Sequence, residues 1–124
     1  MLPFNFSDAP PSYDAAEVFY VRIDPAITVS EELLKALYYS LWFPGYFGFN
    51  WDALYDCLCD LTWVPFYKVV LVHESLPNLP ENELVVYLKI LHDAILNWGS
   101  DENHKLEVFF IGGDSQLISN LLEK

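Results

Sequence analysis

Lys68-Val-Val-Leu-Val-His73 is the stretch on which the fold turns. A strand with one solvated face alternates polar and apolar residues. This run does not alternate, and Val69, Val70 and Val72 are β-branched, so it predicts a strand covered on both faces, as in parallel sheets. On its N-terminal side, Glu17-Val-Phe-Tyr-Val-Arg-Ile23, closed by Asp24-Pro25, reads as a second strand. On its C-terminal side, Leu106-Glu-Val-Phe-Phe-Ile111 reads as a third, ending at Gly112-Gly113. Helical periodicity fills the gaps. Thr28 and Ser30 are candidate N-caps, with capping-box spacing from Thr28 to Glu31, for a helix that places Leu33, Leu34, Leu37 and Leu41 on one stripe and stops before Pro44. Asn50 can cap a second helix running from Trp51 to about Leu61. A third, from about Asn82 to Trp98, turns Leu84, Leu88, Leu91, Ile95 and Trp98 inward and ends at Gly99. Residues 115–124 form a short fourth helix. Strands joined through helices require crossovers, so the reading is an α/β domain: a small three-stranded parallel sheet packed with about four helices. The prolines at 3, 10 and 11 mark residues 1–15 as an extended arm outside a single domain of residues 16–124.

The chain has 124 residues, 53% of them hydrophobic, enough for a core without disulfides or metal. Six basic residues against eighteen acidic ones give a formal net charge of -12. Such a field repels nucleic acid and anionic membrane and draws in basic proteins. It also keeps an apolar, aromatic-rich chain in solution. Cys57 and Cys59, two apart on a helix, cannot pair with each other, and no Cys or His cluster completes a zinc site. Free thiols, no secretion signal and no run long enough to span a bilayer make the expected location cytoplasmic. The residues call for no cofactor, and the free chain is expected to be a monomer.

The second helix carries the chemistry. At 100° per residue, Leu54, Cys57, Leu58 and Leu61 share one side, while Asp52, Asp56, Cys59 and Asp60 share the other, with Tyr55 beside them. Carboxylates at i, i+4 and i+8 repel one another. Asp52 alone gains from the positive end of the helix dipole. A solvated helix face is the plain alternative. The neighbouring rings speak against it: Tyr46, Phe47, Phe49, Trp51 and Tyr55 crowd one loop–helix unit whose inward stripe leucines already fill. Aromatic anchors around charges make a protein-contact surface.

The segment Pro44-Gly-Tyr-Phe-Gly-Phe-Asn-Trp-Asp-Ala-Leu-Tyr-Asp-Cys-Leu58 resembles the signature of the barstar family of ribonuclease inhibitors across fifteen residues. The resemblance extends over about residues 17–112 and implies the family's fold, a strand, helix, loop, helix, strand, helix, strand order. It implies that Asp52 and Asp56 enter a nuclease active site in place of substrate phosphate. It implies that Tyr46 packs on the enzyme and that Tyr55 flanks the carboxylates. Asn50 and Gly48 match positions that shape the loop and start the helix, and Asp93 matches a further acid on the long helix. Three features depart from the pattern. Gly45 and Phe49 stand where the family prototype has acids, Asp60 adds a carboxylate, and residues 61–67 form a longer and more aromatic segment. The implied partner is a basic ribonuclease, or the ribonuclease domain of a toxin against which this chain is the immunity protein.

Two other functions compete with that reading. An acid/base pair of Asp52 and Asp56, as in glycoside hydrolysis, needs a cleft between the carboxylates, whereas two acids on one helix face converge on a partner. His73, His92 and His104 form no nucleophile–base constellation, so the chain reads as no enzyme. His73 in an apolar strand reads as a satisfied core or strand-end residue. An acidic interaction module, or an immunity protein for a basic toxin that is not a ribonuclease, would use the same surface on another protein.

Overall fold

A computed structural model describes residues 2–9, 18–99 and 105–123. In chain order they form β1 (Asn5–Ser7), β2 (Val18–Ile23), α1 (Ser30–Ser40), α2 (Trp51–Asp60), β3 (Lys68–His73), α3 (Glu81–Trp98), β4 (Lys105–Ile111) and α4 (Ser115–Leu122). All strand pairings are parallel, in the order β1-β4-β3-β2. Leu71 lies at the middle of β3 with Val21 on one side and Val108 on the other. Val69, Val70 and Leu71 are wholly buried and Val72 nearly so, which places protein on both faces of β3 as its unbroken apolar run requires.

One continuous core joins the sheet to the helices. Leu33, Leu34, Leu37 and Leu41 from α1 and its end meet Leu54 and Leu58 of α2, Leu84, Leu88 and Leu91 of α3, and Ile118 and Leu121 of α4. Burying each of these leucines stabilises the fold by about 2 kcal/mol. Ile95, assigned inward by periodicity, is only half-buried.

The sheet has four strands rather than three. The extra one comes from the segment read as an arm. Phe4 packs edge-on against Phe110 at 5.1 Å between ring centroids, and Phe6 lies 6.1 Å from the same ring. Those contacts fix Asn5, Phe6 and Ser7 opposite Phe109, Phe110 and Ile111. Residues 10–15, also assigned to the arm, lie outside the described residues.

The N-terminus of α1 also differs from expectation. Its cap position is Val29, with no side-chain hydrogen bond, so neither Thr28 nor Ser30 caps the helix. Ser30 instead donates its hydroxyl to Glu83 Oε1 of α3 at 2.5 Å, a tertiary bond that outcompetes the local one. Glu31 and Glu32 in the first turn still meet the positive end of the helix dipole.

Two indoles tie the helices together. The Trp98 N–H donates to the carbonyl of Leu58 at 2.7 Å. That carbonyl is among the last four of α2, which have no donor within the helix. The Trp63 N–H donates to the Leu41 carbonyl at 2.9 Å, while Val64 is buried and Phe66 stacks on Phe19 at 5.6 Å. Residues 61–67 are therefore partly core: they seal the end of α1.

His73 ends β3 in full burial. Its Nδ1 lies 3.1 Å from the Phe109 carbonyl oxygen, which can only accept, so Nδ1 carries the proton. Its Nε2 then accepts from the Tyr87 hydroxyl at 2.7 Å. Burial pushes the imidazole from 6.5 down to about 4, against the partly compensating pull of the Phe109 carbonyl. Between those two values the unfolded chain takes up a proton that the folded chain refuses, so stability falls as pH falls through that window. The loss is about 3 kcal/mol by pH 4. Denaturant midpoints measured between pH 7 and 4 should show it, and His73→Gln should flatten that part of the curve. In the parent chain, the His73 ring resonances should stay at their neutral positions down to about pH 4.

Candidate functional site

The site begins with how residues 44–50 turn into α2. The Phe47 N–H closes a turn on the Pro44 carbonyl at 3.0 Å, and the Phe47 ring goes into the core against Phe43. Asn50 has extended backbone and performs two tasks. Its Oδ1 accepts from the Ala53 N–H at 2.8 Å, capping α2, and its Nδ2 reaches back to the Gly48 carbonyl at 3.4 Å. A Cβ on residue 48 would stand 3.0 Å from that Nδ2, so glycine at 48 lets the clamp close.

With loop and helix locked together, the surface between them is concave. Tyr46, Phe47, Gly48, Asn50, Asp52, Ala53, Asp56 and Cys57 line an open cleft of about 400 Å³. Asp52 and Asp56 are exposed and project from one wall, one helical turn apart. They do not face each other across the cleft, as an acid/base pair on a bound substrate would. Among the described residues, the salt bridges of Lys and Arg go to other acids: Arg22 to Glu74, Lys35 to Glu31, and Lys68 and Lys105 to Glu107. Among these same residues no salt bridge reaches Asp52, Asp56 or Asp60.

The remaining candidate residues fall in different places around this cleft. Tyr46 is 75% exposed at its rim. Tyr55 lies on the flank of α2 toward α3 and donates to the Cys59 sulfur, which raises its pKa, and the Asp93 charge adds to that rise. Asp93 also raises Cys59, so the long helix brings this acid beside α2. It accepts from His92 at 2.9 Å when the Nδ1 of that ring carries a proton. Asp60 lies beyond the cleft, half-buried in the last turn, and accepts from the Thr62 hydroxyl at 2.9 Å. Phe49 leans away from the cleft onto Phe47 and Tyr38, with its backbone in the left-handed region at φ 52°.

The thiols offer no nucleophile. Burial, helped by Asp60 and Asp56, pushes Cys57 up to about 11, and burial also raises Cys59. Both are protonated at neutral pH. Among the described residues no group of three His, Cys, Asp or Glu side chains is placed to hold a metal ion. No helix among them is long and apolar enough to cross a membrane.

Sequence reasoning missed the concavity. The acids read as a row on one exposed helix face, and only the return of the loop through Phe47 makes a wall opposite them. The signal was present in Phe47 itself, an apolar residue midway through a loop rich in glycine.

No curated protein matches the chain. The family model for Barstar, described as the barnase inhibitor, matches residues 18–111. That span runs from the first residue of β2 to the last of β4 and holds the Asn50-capped helix and the whole cleft. On this match, which covers most of its length, the chain belongs to the barstar family.

Proposed function

We propose that this chain inhibits a basic ribonuclease by seating the Asp52 and Asp56 carboxylates among the cations of its active site. The observation that carries this reading is the pair of exposed acids, one helical turn apart and reached by no salt bridge among the described residues, on the wall of an open cleft. Ribonuclease sites that hold a polyanion concentrate Arg, Lys and His. Carboxylates on a rigid helix whose Cβ atoms lie about 5–6 Å apart can pair with such groups, bidentately where the partner is Arg. The cleft accepts a protruding side chain of the enzyme, and Tyr46 at the rim covers the pair from water. Asp93, Tyr55 and Asp60 widen the acidic surface. Membership of a family of barnase inhibitors supports a partner of this kind and a role other than catalysis. The net charge of -12 would speed encounter with a basic enzyme. A ribonuclease domain of a toxin presents the same chemistry, in which case the chain acts as an immunity protein.

The helix carries one acid at a cost to itself. Asp60 lies in the last turn of α2, at the negative end of the dipole, with no basic residue beside it in that turn. Asp52 in the first turn has the opposite effect. Asp60→Asn should therefore raise stability by about 0.5 kcal/mol, keeping the Thr62 bond, and Asp52→Asn should lower it by a similar amount. Chemical denaturation of the two variants checks both signs.

Inhibition is tested on a panel of secreted basic microbial ribonucleases that includes barnase. At least one should lose its activity when mixed with the chain. Against that enzyme, Asp56→Ala should weaken binding by about 3 kcal/mol, roughly a hundredfold, chiefly through faster dissociation, because it strands a desolvated cation. Glu32→Gln removes the same charge from an exposed site on α1 and should leave dissociation unchanged. Equal effects of the two variants would place the contact elsewhere.

A further inference from the structure

Beside the cleft runs a line of rings that the carboxylate mechanism does not use. It starts at Phe47 in the cleft wall, passes to Phe49 at 4.9 Å and to Tyr38 at 5.0 Å, and ends at Tyr39 after another 5.0 Å. Burial decreases along it. Phe47 is buried, Tyr38 and Phe49 are part-covered, and Tyr39 is 73% exposed. Phe47 is core and Tyr38 packs against it, but the outer rings do not complete it. Tyr39 falls on the face of α1 away from the buried Leu33, Leu34 and Leu37. Phe49 is 42% exposed and is held at positive φ, a conformation that a bulky residue rarely adopts. Trp42, at the other end of the same loop, repeats the combination with φ 57° and 53% exposure. Trp42 rests its ring on Phe19 at 4.7 Å rather than on this line, and within the line it is Phe49 that joins strained backbone to exposure, the mark of a surface kept for contact.

The occupant follows from position and charge. The line is continuous with the cleft wall through Phe47, and the cleft presents two carboxylates that no salt bridge among the described residues reaches. A protein lying on both must be cationic where it meets Asp52 and Asp56 and apolar next to that. We infer that Tyr38, Tyr39 and Phe49 form a specificity ledge that selects, among basic ribonucleases, those with an apolar rim bordering the active site. This inference rests on the inhibitor reading above and deepens it. Charge gives encounter and register, which basic ribonucleases share. Rings on an apolar rim discriminate between them, because an acidic rim would lose its water against the ring faces without gaining a partner.

The test uses the full chain and the ribonuclease it inhibits most strongly in the panel that includes barnase. Tyr39→Ser and Phe49→Ser are each measured by dissociation rate and by the salt dependence of binding. Each ledge variant should dissociate at least about tenfold faster while the slope of log affinity against log salt stays that of the parent chain. Asp56→Ala should reduce that slope. Tyr39, being mostly exposed, can be replaced without loss of fold, so its variant reports even where Phe49→Ser unfolds. Ledge variants that dissociate within twofold of the parent, while Asp56→Ala weakens binding, would overturn the ledge and leave the inhibitor reading standing. Failure of Asp56→Ala to weaken binding, or absence of inhibition across the panel, would remove both. A parent chain that sediments as a dimer, with Tyr39→Ser a monomer, would assign the rings to a second copy and overturn the ledge.

Discussion

The constraint on which the molecule depends is that β3 must be covered on both faces. An unbroken apolar strand cannot lie at an edge or under water, so it takes a parallel neighbour on each side, β2 and β4. Parallel neighbours cannot be joined by hairpins, and the chain has to leave the sheet and return between each pair. The returns are α1 with α2, and α3. The helix that carries the acids is thus a product of the crossover: α2 exists because β2 and β3 point the same way. Its inner side is committed to Leu54 and Leu58, which fixes its rotation and so turns Asp52 and Asp56 outward.

Rigidity follows from the same commitment. Asn50 starts the helix and holds the loop, and Trp98 satisfies a carbonyl at its far end from α3. On the inhibitor reading proposed above, such a surface gains from being set before the encounter, since little ordering entropy is then left to lose. The acids contribute little to the fold and in one case oppose it. The one that opposes it is Asp60, a carboxylate at the negative end of the α2 dipole with no basic residue in that turn.

Periodicity reaches some of this and fails elsewhere for definite reasons. The three strands from β2 to β4, the leucine stripe of α1 and the buried side of α2 are local patterns, and they stand in the structure as they read in the sequence. On the opposite side of α2 only Asp52 and Asp56 are exposed, while Cys59 and Asp60 are half-buried. Asn50 as a cap is legible because its partner, Ala53, is three residues away. By contrast, β1 is only three residues long and is held by rings on Phe110, a contact that nothing near Phe4 or Phe6 announces. The expected cap at Thr28 or Ser30 gave way to a bond with Glu83, in another helix. The outward acids were legible as a helix face, but the cleft they line was not, because concavity depends on where a loop packs. The rings at 38, 39 and 49 were countable, yet their union into one line needs α1 and the loop to be side by side.

The place of β1 in the sheet has a consequence for how the molecule is made. Among the described strands β1 pairs with β4 alone, so the first of these strands in the chain must wait for the last. Roughly a hundred residues separate Phe4 from Phe110, and closing a loop of that length is entropically unfavourable until the rest of the sheet has formed. The three-stranded nucleus of β2, β3 and β4 can assemble without it. Docking of β1 then completes the sheet, covering the Phe109–Ile111 end of the β4 edge, which would otherwise offer free backbone donors and acceptors to a neighbouring chain. The short strand that the sequence hides thus shortens the edge that the sheet leaves open.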